Sequence, residues 1–339
     1  MNAAGWPIVL CDKARILARF PRLVARAHRS NYDGRQLYSS DCQLPYKNKI
    51  SGTHQYRDLG RLDDIDIASF RERHFKPEVP TILPRHYFCD LPASERWFKP
   101  SVSETNISRL NIDYLTEHGG DAYVPLELTP GTEDTHASKE DGTEFRKFQA
   151  PLSLFLQWIR AAEKQSQDMR LYLAQCQLLD LPPTLRDDFP TPELVLQAGK
   201  GDIYDTNVWI GLPPTYTPLH RDPNPNLFVQ LAGCKIVRLL APEDGLALFG
   251  TVRRYLGKSG TREAASFRGE EMMQGQEREI IEQLVWNDVD PSQLTSVSDS
   301  WGYEARLEAG DGLFIPNGWW HSIKGVGNGV TASVNWWFR

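Results

Sequence analysis

The stretch TPLHRDPNPNLFVQLAGCKIVRLLAP (residues 217–242) decides the fold prediction. Its two short apolar runs, NLFVQL and KIVRLL, are separated by a glycine turn and bounded by prolines, which is typical of neighbouring β-strands. His220 and Asp222 stand two residues apart before the first run, and Lys235 lies inside the second. On an extended chain residues two apart share a face, so His220 and Asp222 face the same way.

From about residue 170 onward the chain continues in this manner. Short β-like runs alternate with Gly and Pro: RLYLAQCQL, DIYDTNVWIGL, NLFVQL, KIVRLLAP, EARLEAG, GLFIP, HSIKGV and VTASVNWWF. Many short strands at this spacing predict a sandwich or barrel. The fold class is therefore α+β with a mostly β core, in which a helical and irregular N-terminal part precedes a barrel-like C-terminal half.

Other segments are assigned by the same criteria. Residues 64–84 predict a short helix that runs into a strand, residues 121–129 a strand, and residues 151–165 a helix with one apolar face. We expect a polar loop at residues 133–145 and a polar, partly helical insert between barrel strands at residues 258–295. We divide the chain into an N-terminal extension (residues 1–60) and one domain (residues 61–339), whose barrel core spans about residues 170–339.

Composition restricts the class of protein. The 339 residues hold five scattered cysteines without a CxxC pair, which excludes zinc-finger and zinc-ribbon sites and a disulfide framework. This usage favours a reducing, intracellular compartment, cytoplasmic or nuclear. No apolar run approaches the roughly 18 residues that span a bilayer, so we expect no membrane contact. Aromatic pairs such as Trp336–Trp337 fit either a core or a homodimer interface.

The N-terminal extension carries a basic segment. Residues 13–35 hold seven Lys/Arg and one acid, whereas the whole chain has a net charge of −6. Three interpretations are open: a basic amphipathic helix docked on its own domain, a mitochondrial targeting segment, or a contact with an acidic partner or nucleic acid. We favour the first, and because the remaining chain is acidic we expect no nucleic-acid binding.

His220 and Asp222 form two thirds of a 2-His-1-carboxylate metal site, which holds Fe(II) and leaves positions open. The best candidate for the third ligand is His321 in GDGLFIPNGWWHSI, which the two flanking turns place at a strand start near the barrel mouth. The other six histidines lie in the N-terminal half, where a surface or core role is the better interpretation. In the alternative, His220 merely caps a turn toward Asp222.

Lys235 supplies a second argument. It shares a strand face with Val237 and Leu239, so it points inward if that face lines the interior. Burial of an unpaired ammonium costs several kcal/mol, about 3–5 when a partner is missing, and therefore requires an anion. In the alternative, the strand is an edge strand and Lys235 lies in water. A carboxylate-bearing co-substrate next to the metal explains the lysine better.

Together, TPLHRD, the lysine fifteen residues after His220, GDGLFIPNGWWH and VTASVNWW resemble the JmjC (cupin-like) Fe(II)/2-oxoglutarate-dependent oxygenases. The resemblance extends from about residue 65 to the C-terminus and is strongest to the small hydroxylase branch, which includes the asparaginyl hydroxylase that inhibits hypoxia-inducible factor. It implies a double-stranded β-helix, the cupin or jelly-roll barrel.

The resemblance also implies roles for individual residues. The iron ligands would be His220, Asp222 and His321, and the far carboxylate of 2-oxoglutarate would be held by Lys235, Thr217 and Tyr172. Further positions that the resemblance places near the co-substrate pocket are Asn226, Asn335 and Trp337. For Trp337 a core role is an equally good interpretation.

The implied function is a dioxygenase that uses Fe(II), 2-oxoglutarate and O₂ to hydroxylate a C–H bond of a protein, peptide or small molecule, with release of succinate and CO₂. A lysine demethylase is the first alternative, since hydroxylation of an N-methyl group releases formaldehyde. A cupin-type binding protein without turnover is the second. The insert at residues 258–295 is individual to this chain, so the substrate of any one family member cannot be transferred to it.

Overall fold

A computed structural model describes residues 56–100, 107–130, 145–258, 273, 275–286 and 302–339 of the chain. All of them belong to the unit that spans Ser51–Arg339. The predicted basic helix at residues 13–35 lies outside the described residues, and so does nearly all of the predicted loop at residues 133–145.

The described part of the chain consists mainly of strands in two large sheets. The strands are β1 (Arg57–Asp58), β2 (Thr81–Leu83), β3 (Phe98–Pro100), β4 (Ser108–Leu110), β5 (Tyr123–Pro130), β6 (Arg146–Pro151), β7 (Met169–Gln177), β8 (Ile203–Gly211), β9 (Thr215–Arg221), β10 (Asn226–Ala232), β11 (Cys234–Leu240), β12 (Tyr303–Glu308), β13 (Gly312–Ile315), β14 (Trp320–Val326) and β15 (Thr331–Phe338). One sheet has the order β1-β12-β11-β14-β9 and the other β2-β13-β10-β15-β8-β7-β5-β6, while β3 and β4 form a separate pair.

The two large sheets face each other across a shared apolar interior. Val237 and Leu239 of the five-stranded sheet pack in one cluster with Phe228 and Leu313 of the eight-stranded sheet. Neighbouring strands are antiparallel, except for the short β1, which runs parallel to β12. Two antiparallel sheets closed around one core form a double-stranded β-helix, and the predicted fold class is confirmed.

Helices cover the outer faces of both sheets. They are α1 (Ile67–Phe70), which continues into a π-helical turn (Arg71–Phe75), α2 (Pro92–Arg96), α3 (Ile112–Gly119), α4 (Leu152–Ala162), α5 (Pro183–Arg186), α6 (Glu193–Gln197), α7 (Pro242–Tyr255) and α8 (Gly275–Trp286). Phe155 of α4 belongs to the large core cluster on the eight-stranded sheet. Phe249 of α7 and Ile281 of α8 form a second cluster with Trp320 on the five-stranded sheet.

The sequence did not predict helix α7, although it contains helix signals. Pro242 occupies the first turn with two acidic residues, and two arginines lie in the last turn. Glycines at positions 245 and 250 obscured the helical pattern. Gly245 is needed because a Cβ there would lie 2.1 Å from the ring of Trp320, so it lets α7 approach the sheet beside His321.

The other sequence assignments fall close to observed elements. The strand predicted at residues 121–129 is β5, the helix predicted at residues 151–165 is α4, and the insert contains α8. Strands β2, β5 and β6, which precede residue 170, also join the eight-stranded sheet. Among the described residues, no helix combines the length and the apolar character that crossing a membrane requires.

We predict that Phe155→Ala lowers the free energy of unfolding by about 3–5 kcal/mol, because the side chain is fully buried and its removal leaves a cavity. The matched control is Leu154→Ala on the same helix, whose side chain is 40% exposed. Urea unfolding of both variants measures the difference. Equal losses in the two variants would contradict the packing described for α4.

Candidate metal centre

Three potential metal ligands meet where β9 and β14 pair. The strands are antiparallel, and His220 of β9 lies directly opposite His321 of β14. The ring centroids of the two histidines are 4.2 Å apart, and Asp222 follows β9 directly. One ligand atom from each of the three residues lies within 4.8 Å of the others. The structure thus brings together the three residues that the sequence singled out, and metal binding by them stays a prediction.

Backbone carbonyl groups fix the orientation and tautomer of both imidazole rings. His220 Nδ1 lies 2.8 Å from the Pro218 carbonyl oxygen, and His321 Nδ1 lies 3.2 Å from the Trp319 carbonyl oxygen. Since a carbonyl oxygen only accepts, each Nδ1 carries the hydrogen and donates it. In a neutral ring, Nε2 is then the nitrogen with the lone pair. The two Nε2 atoms lie 3.8 Å (His220) and 3.6 Å (His321) from the carboxylate of Asp222.

The Asp222 carboxylate is oriented by two donors. Asn226 Nδ2 donates to Asp222 Oδ2 at 2.8 Å, and Trp337 Nε1 donates to the same oxygen at 3.0 Å. Asp222 is only 7% exposed. Hydrogen-bonded ligand carboxylates and histidines are the usual outer support of metal sites in proteins. This donor set fits a divalent metal ion.

Burial, together with the neighbouring ring of His220, lowers the pKa of His321 to about 4. The imidazole is therefore neutral at pH 7, and its Nε2 lone pair is available to a metal without a prior loss of a proton.

Lys235 of β11 points into the barrel and is buried, at 2% exposure. Its Nζ donates to Ser333 Oγ at 2.6 Å, lies 3.5 Å from the hydroxyl of Tyr172 and lies over the ring of Phe228. No carboxylate of the described residues pairs with it, and burial lowers its pKa to about 7. The edge-strand alternative is excluded, because β11 lies between β12 and β14.

The three candidate metal ligands and Lys235 line one cavity of about 540 Å³. Thr217 and Tyr172, which the family resemblance assigned to the far carboxylate of 2-oxoglutarate, line it as well. Burial and the nearby Glu127 raise the pKa of Tyr172, so its hydroxyl stays protonated and can donate to an anion. A buried amine and two hydroxyl groups in the same cavity fit a carboxylate.

The remaining predicted residues also line this cavity, each in its own role. Asn226 and Trp337 hold the Asp222 carboxylate, as described above. Asn335 accepts a hydrogen bond from Trp209 Nε1 at 2.8 Å. The Asn335 Nδ2 and Asn226 Oδ1 atoms are buried without a partner among the described residues. Two such amide atoms on the cavity wall fit a polar guest, because unpaired buried polar groups are costly.

Sequence reasoning missed Ser333 and Trp209. Ser333 shares a face of β15 with Asn335 and Trp337, so strand alternation could have identified it. Trp209 lies on β8, which pairs directly with β15, and it stands opposite Ser333.

Glu127 was missed as well. It lies on β5 directly opposite Tyr172 of β7, and it is half-buried on the cavity wall. Burial raises its pKa to about 7, although Lys147 partly opposes the shift. Its position follows from the register of β5 with β7, which the sequence alone did not give.

Comparison with known proteins agrees with the fold. A family model described as a cupin-like domain matches residues 67–339. The chain is 26% identical over 87% of its length to Jumonji C domain-containing protein 5 of Drosophila melanogaster, of which it covers 63%. It is 27% identical over 83% of its length to Lysine-specific demethylase 8 of Danio rerio, of which it covers 58%.

A third relative is tRNA wybutosine-synthesizing protein 5 of Homo sapiens, with 25% identity over 83% of this chain and 78% of that protein. The chain thus spans about three fifths of the length of the first two relatives and more of the third.

We predict that Glu127→Gln stabilises the protein at pH 8. The folded state raises the pKa of Glu127 from 4.5 to about 7. The stabilisation that protonated Glu127 gives is therefore complete below its unfolded pKa and is lost as pH rises through about 7. Gln does not titrate, so the variant should gain about 1–2 kcal/mol above pH 7 and little at pH 4.

Chemical denaturation at several pH values measures this difference. A stability difference that does not change with pH would contradict the burial of the Glu127 carboxyl group.

Proposed function

Because the chain belongs to the cupin-like domain family, we propose that it is an Fe(II)- and 2-oxoglutarate-dependent oxygenase. The observation that carries the proposal is one cavity wall with two kinds of site. It holds two imidazoles and a carboxylate around one point, and a buried amine that has no carboxylate partner among the described residues. Two imidazoles and one carboxylate are typical of iron sites that leave positions open for a co-substrate and O₂.

The residues of the chain have separate tasks in this proposal. His220, Asp222 and His321 hold the iron. Lys235 and Tyr172 hold the far carboxylate of 2-oxoglutarate. The bound iron, with 2-oxoglutarate and O₂, supplies the oxidation of a C–H bond, with release of succinate and CO₂.

Further side chains act by orientation and by exclusion of water. Thr217 adds a hydroxyl group to the carboxylate site. Asn226 and Trp337 keep the Asp222 carboxylate directed at the metal. The apolar interior around Phe228 keeps water from the amine of Lys235, which strengthens its attraction to an anion.

We further propose a protein or peptide substrate. The cavity extends beyond the ligand residues. Glu127 and Gln175 line it from the eight-stranded sheet, which faces the strands that carry the ligands. Two reactions fit this chemistry: hydroxylation of a C–H bond, and N-demethylation. The second is favoured by the similarity to a relative named Lysine-specific demethylase 8. The similarity to the asparaginyl hydroxylase branch stays a prediction.

Two product assays separate these candidates. A mass-shift screen of cell extract for products with one added oxygen detects hydroxylation, and formaldehyde release from methylated peptides detects demethylation. Iron binding without any succinate formation would instead support the non-catalytic binding protein.

We predict that His220→Ala and Asp222→Ala each abolish 2-oxoglutarate turnover, because either change removes one of three ligands. The control is His86→Ala, since His86 is exposed and does not line the cavity. Succinate formation under saturating Fe(II) measures the effect. Full turnover by His220→Ala would overturn the iron assignment.

We predict that 2-oxoglutarate binds about tenfold more weakly at pH 8 than at pH 6. The pKa of free Lys235 is about 7, and only the protonated amine attracts a dianion, so its protonated fraction falls tenfold per pH unit above that value. Calorimetry with the Fe(II)-loaded protein under anaerobic conditions measures the affinity. Buffers of different ionisation enthalpy should reveal uptake of about one proton above pH 7.

The control is Lys235→Arg, because arginine stays charged throughout this range and should flatten the pH dependence. An equally steep dependence in this variant would assign the titration to another group.

A further inference from the structure

Thr217 and His220 line the same cavity although they stand three residues apart on one strand. In a regular strand, residues separated by three point to opposite faces. The register between β9 and β14 resolves the conflict. His220 is opposite His321 and Thr217 is opposite Ile323, so two residues of β9 lie opposite the single residue Ser322. Such an arrangement is a β-bulge.

The bulge consists of Pro218 and Leu219. Proline has no N–H to donate to the ladder, and the Pro218 carbonyl oxygen is occupied by His220 Nδ1. Leu219 points outward and packs in the cluster below α7 and α8. The bulge therefore shifts the alternation of side chains by one residue between Thr217 and His220. In a regular register one of these two side chains would point away from the cavity.

A side chain of β14 bridges the bulge. Ser322 is fully buried, and its Oγ donates to the Thr217 carbonyl oxygen at 2.8 Å. The same Oγ accepts a hydrogen bond from Trp286 Nε1 at 2.9 Å. The serine hydroxyl thus links the indole of Trp286 to the backbone of the strand that carries His220.

Trp286 is the last residue of helix α8, which lies in the insert. Two cations contact its ring, with Arg238 and Lys324 each 4.7 Å from the ring centroid. Arg238 also donates to the Val285 carbonyl oxygen at the end of α8. At the other end of the helix, Met273 precedes α8 and lines the cavity. The described part of the insert therefore reaches the cavity at Met273 and is fixed through α8 to the outer face of the strands that carry His220 and His321.

We propose that Trp286 is a positioning residue for the metal centre. Through the hydroxyl of Ser322 it holds the bulge that places Thr217 and His220 on one wall of the cavity. The consequence for iron and 2-oxoglutarate rests on the proposed function, whereas the mechanical link between α8 and β9 does not.

Hydrogen exchange of the metal-free protein tests the mechanical link. Trp286→Phe removes the N–H donor and keeps an aromatic ring next to the two cations. The backbone N–H groups of residues 215–221, other than Pro218, should exchange about five- to tenfold faster. This is the factor expected from the loss of one net hydrogen bond. Ser322→Ala breaks the same link from the other side and carries the test if Trp286→Phe does not fold.

The double variant Trp286→Phe/Ser322→Ala should exchange no faster than Ser322→Ala alone, because both changes remove one link. The matched control is Trp158→Phe, which also removes an indole N–H that donates to a backbone carbonyl, that of Met169 on the other sheet. Unchanged exchange at residues 215–221 in Trp286→Phe, or an equal increase in Trp158→Phe, would overturn the proposal.

Binding to the Fe(II)-loaded protein provides the second measurement. Trp286→Phe should weaken anaerobic 2-oxoglutarate binding about three- to tenfold, because Thr217 moves relative to the iron, while Trp158→Phe leaves it unchanged. If the wild-type protein binds neither Fe(II) nor 2-oxoglutarate, the proposed function fails, and the exchange result still decides the link. If Trp286→Phe speeds exchange but binds 2-oxoglutarate normally, the positioning role is refuted.

Discussion

The register between β9 and β14 is the constraint on which the rest of the site depends. It places His220 directly opposite His321 and leaves Asp222 at the end of β9, where the three ligand atoms converge. A slip by one residue would send the ligands of one strand to the outer face of the sheet. Most of the surrounding structure can be understood as support for this register. The bulge at Pro218 adjusts it locally, and Trp320 packs below the helices that cover it.

The interior of the barrel also balances charge in an unusual way. Asp222 and Lys235 are both buried, they do not pair with each other, and no carboxylate of the described residues pairs with Lys235. Asp222 is instead stabilised by neutral donors, and Lys235 by the hydroxyl of Ser333. Such a site is incomplete electrostatically, since a buried charge without a counter-ion is costly. A divalent cation at the carboxylate and a dianion at the amine would complete it, which is why the two assignments support each other.

Strand alternation predicted much of this site from the sequence. It gave the inward direction of Lys235 and the shared face of His220 and Asp222, and the barrel followed from the regular spacing of short strands. It could not place Thr217 on the wall of His220, because a bulge breaks alternation and depends on the partner strand. It also missed Glu127, whose place follows from pairing between strands. Long-range register and packing, rather than local propensity, decide these positions.

The central claim is that one ferrous ion and one dicarboxylate share this cavity. The most direct measurement is an anaerobic crystal structure with Fe(II) and 2-oxoglutarate, with the iron located by anomalous scattering. The account predicts one iron peak within bonding distance of His220, Asp222 and His321, and the far carboxylate of 2-oxoglutarate at the amine of Lys235. An iron peak that lacks His321 as a ligand, or a dicarboxylate bound away from Lys235, would contradict it.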